Sequence, residues 1–277
     1  VTPLDQVCVR ELAAWGVDEN TFRPQIGGWS AKAELAHDEV AKRESFVTND
    51  PILQDVPAFV MDLLEKQLHR ADLHDEMKGL NWTTGIVDIR QLLAFQRRLI
   101  FDDRRPHEEV PSADDWPSLV AFAFGPPVPI GYRTLASNAS ELLLQSENPN
   151  LQLRTSTDPN HLFLFHGGSP FFEVSEFRSR WFLRDGYHRA YRLLRAGIAN
   201  FPAVIIRAQT LAELGPVQPW FFNEEILFGS HPPRVTDFLD DNITIEYTRQ
   251  RLFKTLRVTM EESVEPALFT SNSGERQ

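Results

Sequence analysis

The stretch from Arg180 to Ile206 constrains the fold more than any other part of the chain. Trp181-Phe182-Leu183 is a short run of β-forming apolar residues that ends at Asp185-Gly186, where turn residues take over. Tyr187 to Ala196 then follows a helical, arginine-rich pattern and stops at Gly197, the residue type that accepts the positive φ of a helix C-terminus. Phe201-Pro202-Ala203-Val204-Ile205-Ile206 reads as a second strand. Strand, helix and strand in so short a span predict a mixed α/β (α+β) domain.

The same span carries the chemistry. A helix that opens directly after a strand presents unpaired N–H groups and the positive end of its dipole beside the strand's carboxyl end, a setting suited to anions. Gly186 lets the backbone come close, while Arg184, His188 and Arg189 supply donors for phosphoryl oxygens, Arg189 with the fork for a bidentate clamp. Between Phe171 and Thr210 there are seven arginines against three acids, a local charge of +4 in a chain of −11. Arg192 and Arg195 fit a solvated helix face equally well. Asp185 has two roles open to it, helix cap or catalytic carboxylate. Glu173, Glu176 and Asp88 are the other carboxylates placed to act as a base or magnesium ligand, and spacing alone selects none of them.

Asp185-Gly186-Tyr187-His188-Arg189, set between an apolar strand and a helix closing with Arg195-Ala196-Gly197-Ile198, resembles the core motif of the ParB and sulfiredoxin-like superfamily. The resemblance covers Phe171 to Ala208, with Val87 to Arg97 similar to an earlier Ile-x-x-Leu-x-x-x-Gln segment. It implies a compact α/β domain whose motif helix holds nucleotide phosphates, with Arg184, Gly186, Tyr187, His188 and Arg189 as binding residues and Asp185, His188 and Arg189 as catalytic ones. ATP, ADP or CTP with magnesium is the implied ligand set. Known activities in the superfamily are CTP-dependent clamping on DNA, ATP-dependent repair of an oxidised cysteine, ADP-dependent phosphorylation of free serine and nuclease action. Sulfiredoxin chemistry needs a cysteine where Tyr187 stands, and no basic recognition helix follows Ala208 to form a DNA clamp. Phosphoryl transfer or nucleotide hydrolysis is the enzymatic expectation, where positioning and charge neutralisation do most of the work. The alternatives are a non-catalytic nucleotide-sensing or protein-interaction module, and a motif that only braces the fold through an Arg189 ion pair with an acid such as Glu173.

Around this centre the texture predicts three segments: a helical extension over 1–80, the α/β domain over 81–210 and a β-rich extension over 211–277. Leu4 to Trp15, Ala31 to Ser45 and Pro57 to Met77 have helical spacing, with Val60, Leu63, Leu64, Leu68 and Leu73 as the clearest stripe. A short strand from Ile86 is expected to run into a helix capped by Asp88. Asp102 to Trp116 reads as an exposed charged loop. Leu119 to Phe124, Tyr132 to Leu135 and His161 to His166 read as strands, and Ile243 to Thr248 with Leu252 to Met260 as a terminal hairpin. His166-Gly167-Gly168-Ser169 reads as a turn near the motif's strand end, without the following lysine of a phosphate-binding glycine loop. Trp220, Phe221, Phe222 and Phe228 read as core.

The 277 residues, 42% apolar and 24% charged, suit an ordinary globular protein. Cys8, the one cysteine, excludes an internal disulfide and a thiolate metal cluster. No metal site is predicted: His69 and His74 fall five apart, off the spacing that pairs histidines on one ion, and are expected in solvent. The chain is expected to be soluble and cytoplasmic, since it has no apolar run long enough for a membrane. Its 39 acids against 28 bases predict no binding to duplex DNA or anionic membranes. The expected partner is a nucleotide or small phosphorylated ligand, with a protein partner open through the extensions.

Overall fold

The computed structural model describes residues 6–16, 28–48, 50–102, 109–126, 130–155, 163–216 and 221–264. The first part of the chain forms β1 (Gln6–Leu12), α1 (Trp29–Ala41), α2 (Ala58–Leu68), α3 (Ala71–Glu76), β2 (Trp82–Asp88), β3 (Leu93–Ala94), β4 (Arg98–Phe101) and α4 (Trp116–Ala123). Four strands follow: β5 (Arg133–Ser137), β6 (Glu141–Ser146), β7 (Gln152–Thr155) and β8 (Phe163–His166). Then come β9 (Glu173–Phe177), β10 (Arg180–Asp185), α5 (Tyr187–Arg195), β11 (Asn200–Arg207), α6 (Leu211–Leu214), α7 (Glu224–Leu227), β12 (Thr244–Gln250) and β13 (Lys254–Thr259). The class is mixed α/β, as the strand–helix–strand span predicts. Among the described residues no helix is long and apolar enough to cross a membrane.

The chain divides into two compact units, Val1–Val128 with Ser169–Arg251 and Pro129–Gly168 with Leu252–Gln277. These units cut across the three segments expected from sequence texture. In the first unit a five-stranded sheet has the order β2-β11-β9-β10-β3. β11 lies antiparallel to β2 and parallel to β9, while β10 lies antiparallel to β9 and parallel to β3. Phe201 to Ile206 is buried throughout, which is why that strand reads as an unbroken apolar run rather than an alternating one. Val60 and Leu64 of α2, Leu119 and Val120 of α4, and Ala190 and Leu193 of α5 join the sheet in one core. A second sheet, β12-β1-β4, completes this unit. The second unit contains the sheet β13-β6-β5 and the β7–β8 pair.

Several sequence expectations are corrected here. Leu4 to Trp15, expected as a helix, contains β1. That strand lies between β12 and β4 with Val9, Arg10, Glu11 and Leu12 all buried, so little alternation survives to reveal it. Leu119 to Phe124, expected as a strand, belongs to α4 and the residue after it. Asp115 caps this helix: its Oδ1 accepts from Ser118 N–H at 3.2 Å and its Oδ2 from the Ser118 hydroxyl at 2.6 Å, with Pro117 in the first turn. The helix expected after Asp88 is one 3₁₀ turn, Ile89–Gln91. Asp88 does cap it, accepting from Arg90 N–H at 3.0 Å, but Leu93 and Ala94 are drawn into β3 by pairing with β10. The Pro57 to Met77 stripe breaks near His69 into α2 and α3. The two expected C-terminal strands exist without forming a hairpin, because β12 pairs with β1 and β13 with β6. His107, Glu108, Trp220 and the residues from 265 on lie outside the described residues.

Candidate functional site

β10 ends, and β9 and β11 begin, on the same edge of the five-stranded sheet. Asp185 closes β10 just past a register shift and stands opposite Glu173, the first residue of β9. Gly186 then turns the chain at φ +98° and opens α5, with no side-chain cap among the described residues. A Cβ on Gly186 would lie 2.5 Å from Phe172 Cδ2, so the position needs glycine for conformation and for space. Gly186→Ala is expected to cost about 2 kcal/mol, seen as a lower urea midpoint at unchanged slope. A midpoint equal to that of the wild type would contradict this turn geometry.

Asp185 is crowded by protein, yet part of the residue stays open to solvent. Its Oδ1 accepts the Gly186 N–H at 2.6 Å, and its Oδ2 a long bond at 3.4 Å from the Ser169 N–H. Burial first, and the facing Glu173 carboxylate second, push this carboxyl up to about 6, against the opposing pull of Arg189 and the two amides. It is therefore a weak acid that titrates near neutrality at the start of a helix, beside two arginines. Of the two roles left open by sequence, the helix cap is not the one made, since Asp185 bonds the amide of Gly186 before α5 and no amide within the helix, while its raised proton affinity is of the kind a general base needs.

The cations expected to meet phosphate are engaged within the protein. Arg184 pairs through Nη1 with Oε2 of the buried Glu173. Arg189 donates from Nη1 to the carbonyls of Pro170 (2.8 Å), Phe122 (3.1 Å) and Ala123 (3.3 Å), and from Nη2 to that of Phe171 (2.6 Å). Phe122 and Ala123 close α4, so the guanidinium sits at the negative end of that helix. The ion pair considered for Arg189 and Glu173 is thus made by Arg184 instead. His188 Nε2 donates to the Ile100 carbonyl at 2.8 Å, and its ring edge meets Phe101.

Tyr187, expected among the ligand-binding residues, has a core side chain. Its hydroxyl donates to the Leu183 carbonyl at 2.7 Å and accepts from the Phe95 and Gln96 N–H groups at 3.0 and 3.3 Å. Burial holds the phenol well above its ordinary range. What Tyr187 offers a ligand is its place in the first turn of α5.

The other arginines of the basic segment follow the same rule. Arg180 donates to the carbonyls of Leu227, Phe228 and Gly229 at the end of α7. Arg178 pairs with Glu224, and Arg207 pairs with Glu176 and stacks 4.5 Å from the Trp181 ring centre. Glu176 is thereby placed toward the far end of β9, away from the motif. Asp88 lies on the motif's edge of the sheet, but it is occupied by Arg90 and the 3₁₀ turn. Among the described residues no three His, Cys, Asp or Glu side chains gather at a metal position. Two open surface cavities beside Lys32 are lined by no residue of the motif.

Sequence reading placed Arg184, Asp185, Gly186, Tyr187, His188 and Arg189 in one locality, and the fold brings Glu173 to it while turning the Tyr187 side chain into the core. It missed Phe172, whose ring dictates the glycine, and the Ser169 amide on Asp185. The signal for the latter was the Gly-Gly-Ser turn itself. Comparison of the chain with protein-family models, with curated proteins and with solved structures returned no match, so the site is known by its own geometry.

Proposed function

We propose that this chain binds a small phosphorylated ligand, a nucleotide such as ATP, ADP or CTP with magnesium, where β10 passes into α5, and that Asp185 accepts a proton there in phosphoryl transfer or nucleotide hydrolysis. The observation that carries the reading is Asp185: a partly accessible carboxyl raised to about 6 at the opening of a helix. At neutral pH it is mostly ionised yet far more basic than an ordinary carboxylate, which suits taking a proton from an attacking hydroxyl or water. The positive end of α5 favours the phosphoryl oxygens beside it. The resemblance of Asp185-Gly186-Tyr187-His188-Arg189 to a nucleotide-binding motif supports the same ligand class.

The second reading, a non-catalytic module, is favoured by Arg189, whose two terminal nitrogens meet four backbone carbonyls of this chain. Thermal unfolding of the wild type with ATP, ADP, CTP, GTP or inorganic phosphate, each with and without magnesium, tests the binding. A ligand at a hundred times its dissociation constant adds about 2.7 kcal/mol. Release of phosphate or diphosphate from a protecting nucleotide would establish turnover. Protection without product leaves a sensor, and no protection by any of the five removes the proposal.

A further inference from the structure

We propose that Glu173, held by Arg184 and facing Asp185 across the β9–β10 ladder, is a positioning residue that adds to burial in favouring the neutral form of Asp185. The inference rests on Asp185 being the working carboxylate of the proposed site. Glu173 is 1% exposed. Its Oε2 receives the Arg184 guanidinium, while its Oε1 is buried with no hydrogen-bond partner among the described residues. One oxygen of this carboxylate is thus bonded and the other is bare, in a setting with little solvent to screen the charge they share.

The ladder gives the direction of the effect. Glu173 and Asp185 are register partners just past the irregularity after Leu183, and like charges placed opposite on a ladder destabilise each other. Of the pair, Glu173 has a guanidinium bonded to it, and among the described residues Asp185 has backbone N–H groups. The carboxylate facing Asp185 therefore opposes ionisation there, and Asp185 holds its proton above the ordinary aspartate range. Arg189 of α5 also acts on Asp185 and favours its ionisation, and the neighbouring phenol of Tyr187 stays neutral. Arg184 has a double role, since by fixing Glu173 it also holds one guanidinium against the first strand positions of the site. Its Nε is itself buried without a hydrogen-bond partner among the described residues, so the Arg184–Glu173 unit has unused polar capacity at this edge.

The test is a carbon-13 NMR titration from pH 3 to 9 on protein labelled at aspartate Cγ and glutamate Cδ, with Asp185→Asn assigning the Asp185 resonance. In the wild type the Asp185 midpoint is expected near 6. The Glu173 carboxyl carbon, opposite Asp185 on the ladder, is expected to report that event as a small inflection at the same pH. In Glu173→Gln, which keeps shape and removes the charge, the Asp185 midpoint should move down the pH scale by about 1. A Glu173→Gln midpoint within error of the wild type overturns the inference. Should that variant not fold, a wild-type Glu173 curve without the inflection overturns it equally. The titration uses no nucleotide, so coupling without nucleotide protection would sink the proposed function alone, and protection without coupling would sink this inference alone.

Discussion

Arg189→Ala is expected to lower stability by about 3–5 kcal/mol, the loss associated with stripping a charged donor from several partly buried acceptors at once. The guanidinium joins two pieces of backbone remote in sequence: the carbonyls of Phe122 and Ala123 at the end of α4, and those of Pro170 and Phe171 just before β9. Removing it leaves four oxygens with one partner fewer and takes a cation from the negative end of a helix. A thermal midpoint lower by roughly 10 °C follows for a chain of this size. Arg189→Lys should recover only part of the loss, because a single ammonium cannot span two carbonyl pairs as a planar fork does. Hydrogen exchange should localise the damage to α4 and the segment before β9. The opposite pattern, wild-type stability with nucleotide protection abolished, would make Arg189 a ligand clamp and refute the brace. This expectation also decides which variant can test ligand binding: a change at Arg189 alters the fold itself, so loss of protection in Arg189→Ala would not identify a phosphate contact.

What could be read in the sequence was local chemistry. The strand that ends at Asp185, the helix that ends at Gly197 and the apolar strand beyond it are all present, Gly197 at φ +78°. The Asp88 cap was legible because an N-cap needs only its own following turn. What failed depended on partners elsewhere. β1 was hidden because its second half, Val9 to Leu12, is buried without alternation, and the β12–β13 hairpin was a false inference because β12 pairs with β1 in one unit and β13 with β6 in the other. Asp115-Trp116-Pro117-Ser118 was a readable helix start, overlooked because the aromatic and β-branched run after it resembles a strand.

At the site, seven arginines against three acids suggested a surface made for anions. The fold instead turns Arg180 and Arg189 onto carbonyls of Leu227, Phe228, Gly229, Phe122, Ala123, Pro170 and Phe171. A backbone carbonyl has no sequence signature, so charge counting alone could not distinguish a phosphate clamp from a helix-end brace. Asp185 differs, because its unusual basicity comes from burial and from a strand neighbour, Glu173, whose facing register is fixed by the hairpin.

Asp185→Asn should stabilise the protein at neutral pH while removing whatever turnover the wild type shows. The folded-state carboxyl titrates near 6, above the range of an unfolded aspartate, so the native state holds the extra proton between those values. The stability contributed by the neutral form is complete below about pH 4 and is lost as pH rises through 6. Asparagine imitates the neutral form at every pH. A carboxyl raised that far would in full burial correspond to about 3 kcal/mol, but partial solvent access and the amide group turned toward the Ser169 N–H reduce the expected gain to about 1–2 kcal/mol. Wild type and variant should therefore unfold alike near pH 4 and separate by several degrees at pH 7.5. Nucleotide protection should survive, since the amide keeps the Gly186 bond and removes a negative charge from the phosphate's neighbourhood. Turnover should fall about a hundred- to ten-thousand-fold, the range associated with losing a positioned base. A variant less stable than the wild type at pH 7.5 would show that Asp185 is chiefly a cap. A variant more stable and still active would leave its basicity real and its catalytic role refuted, and only the combination of higher stability with lost turnover fits a carboxylate kept under strain for chemistry.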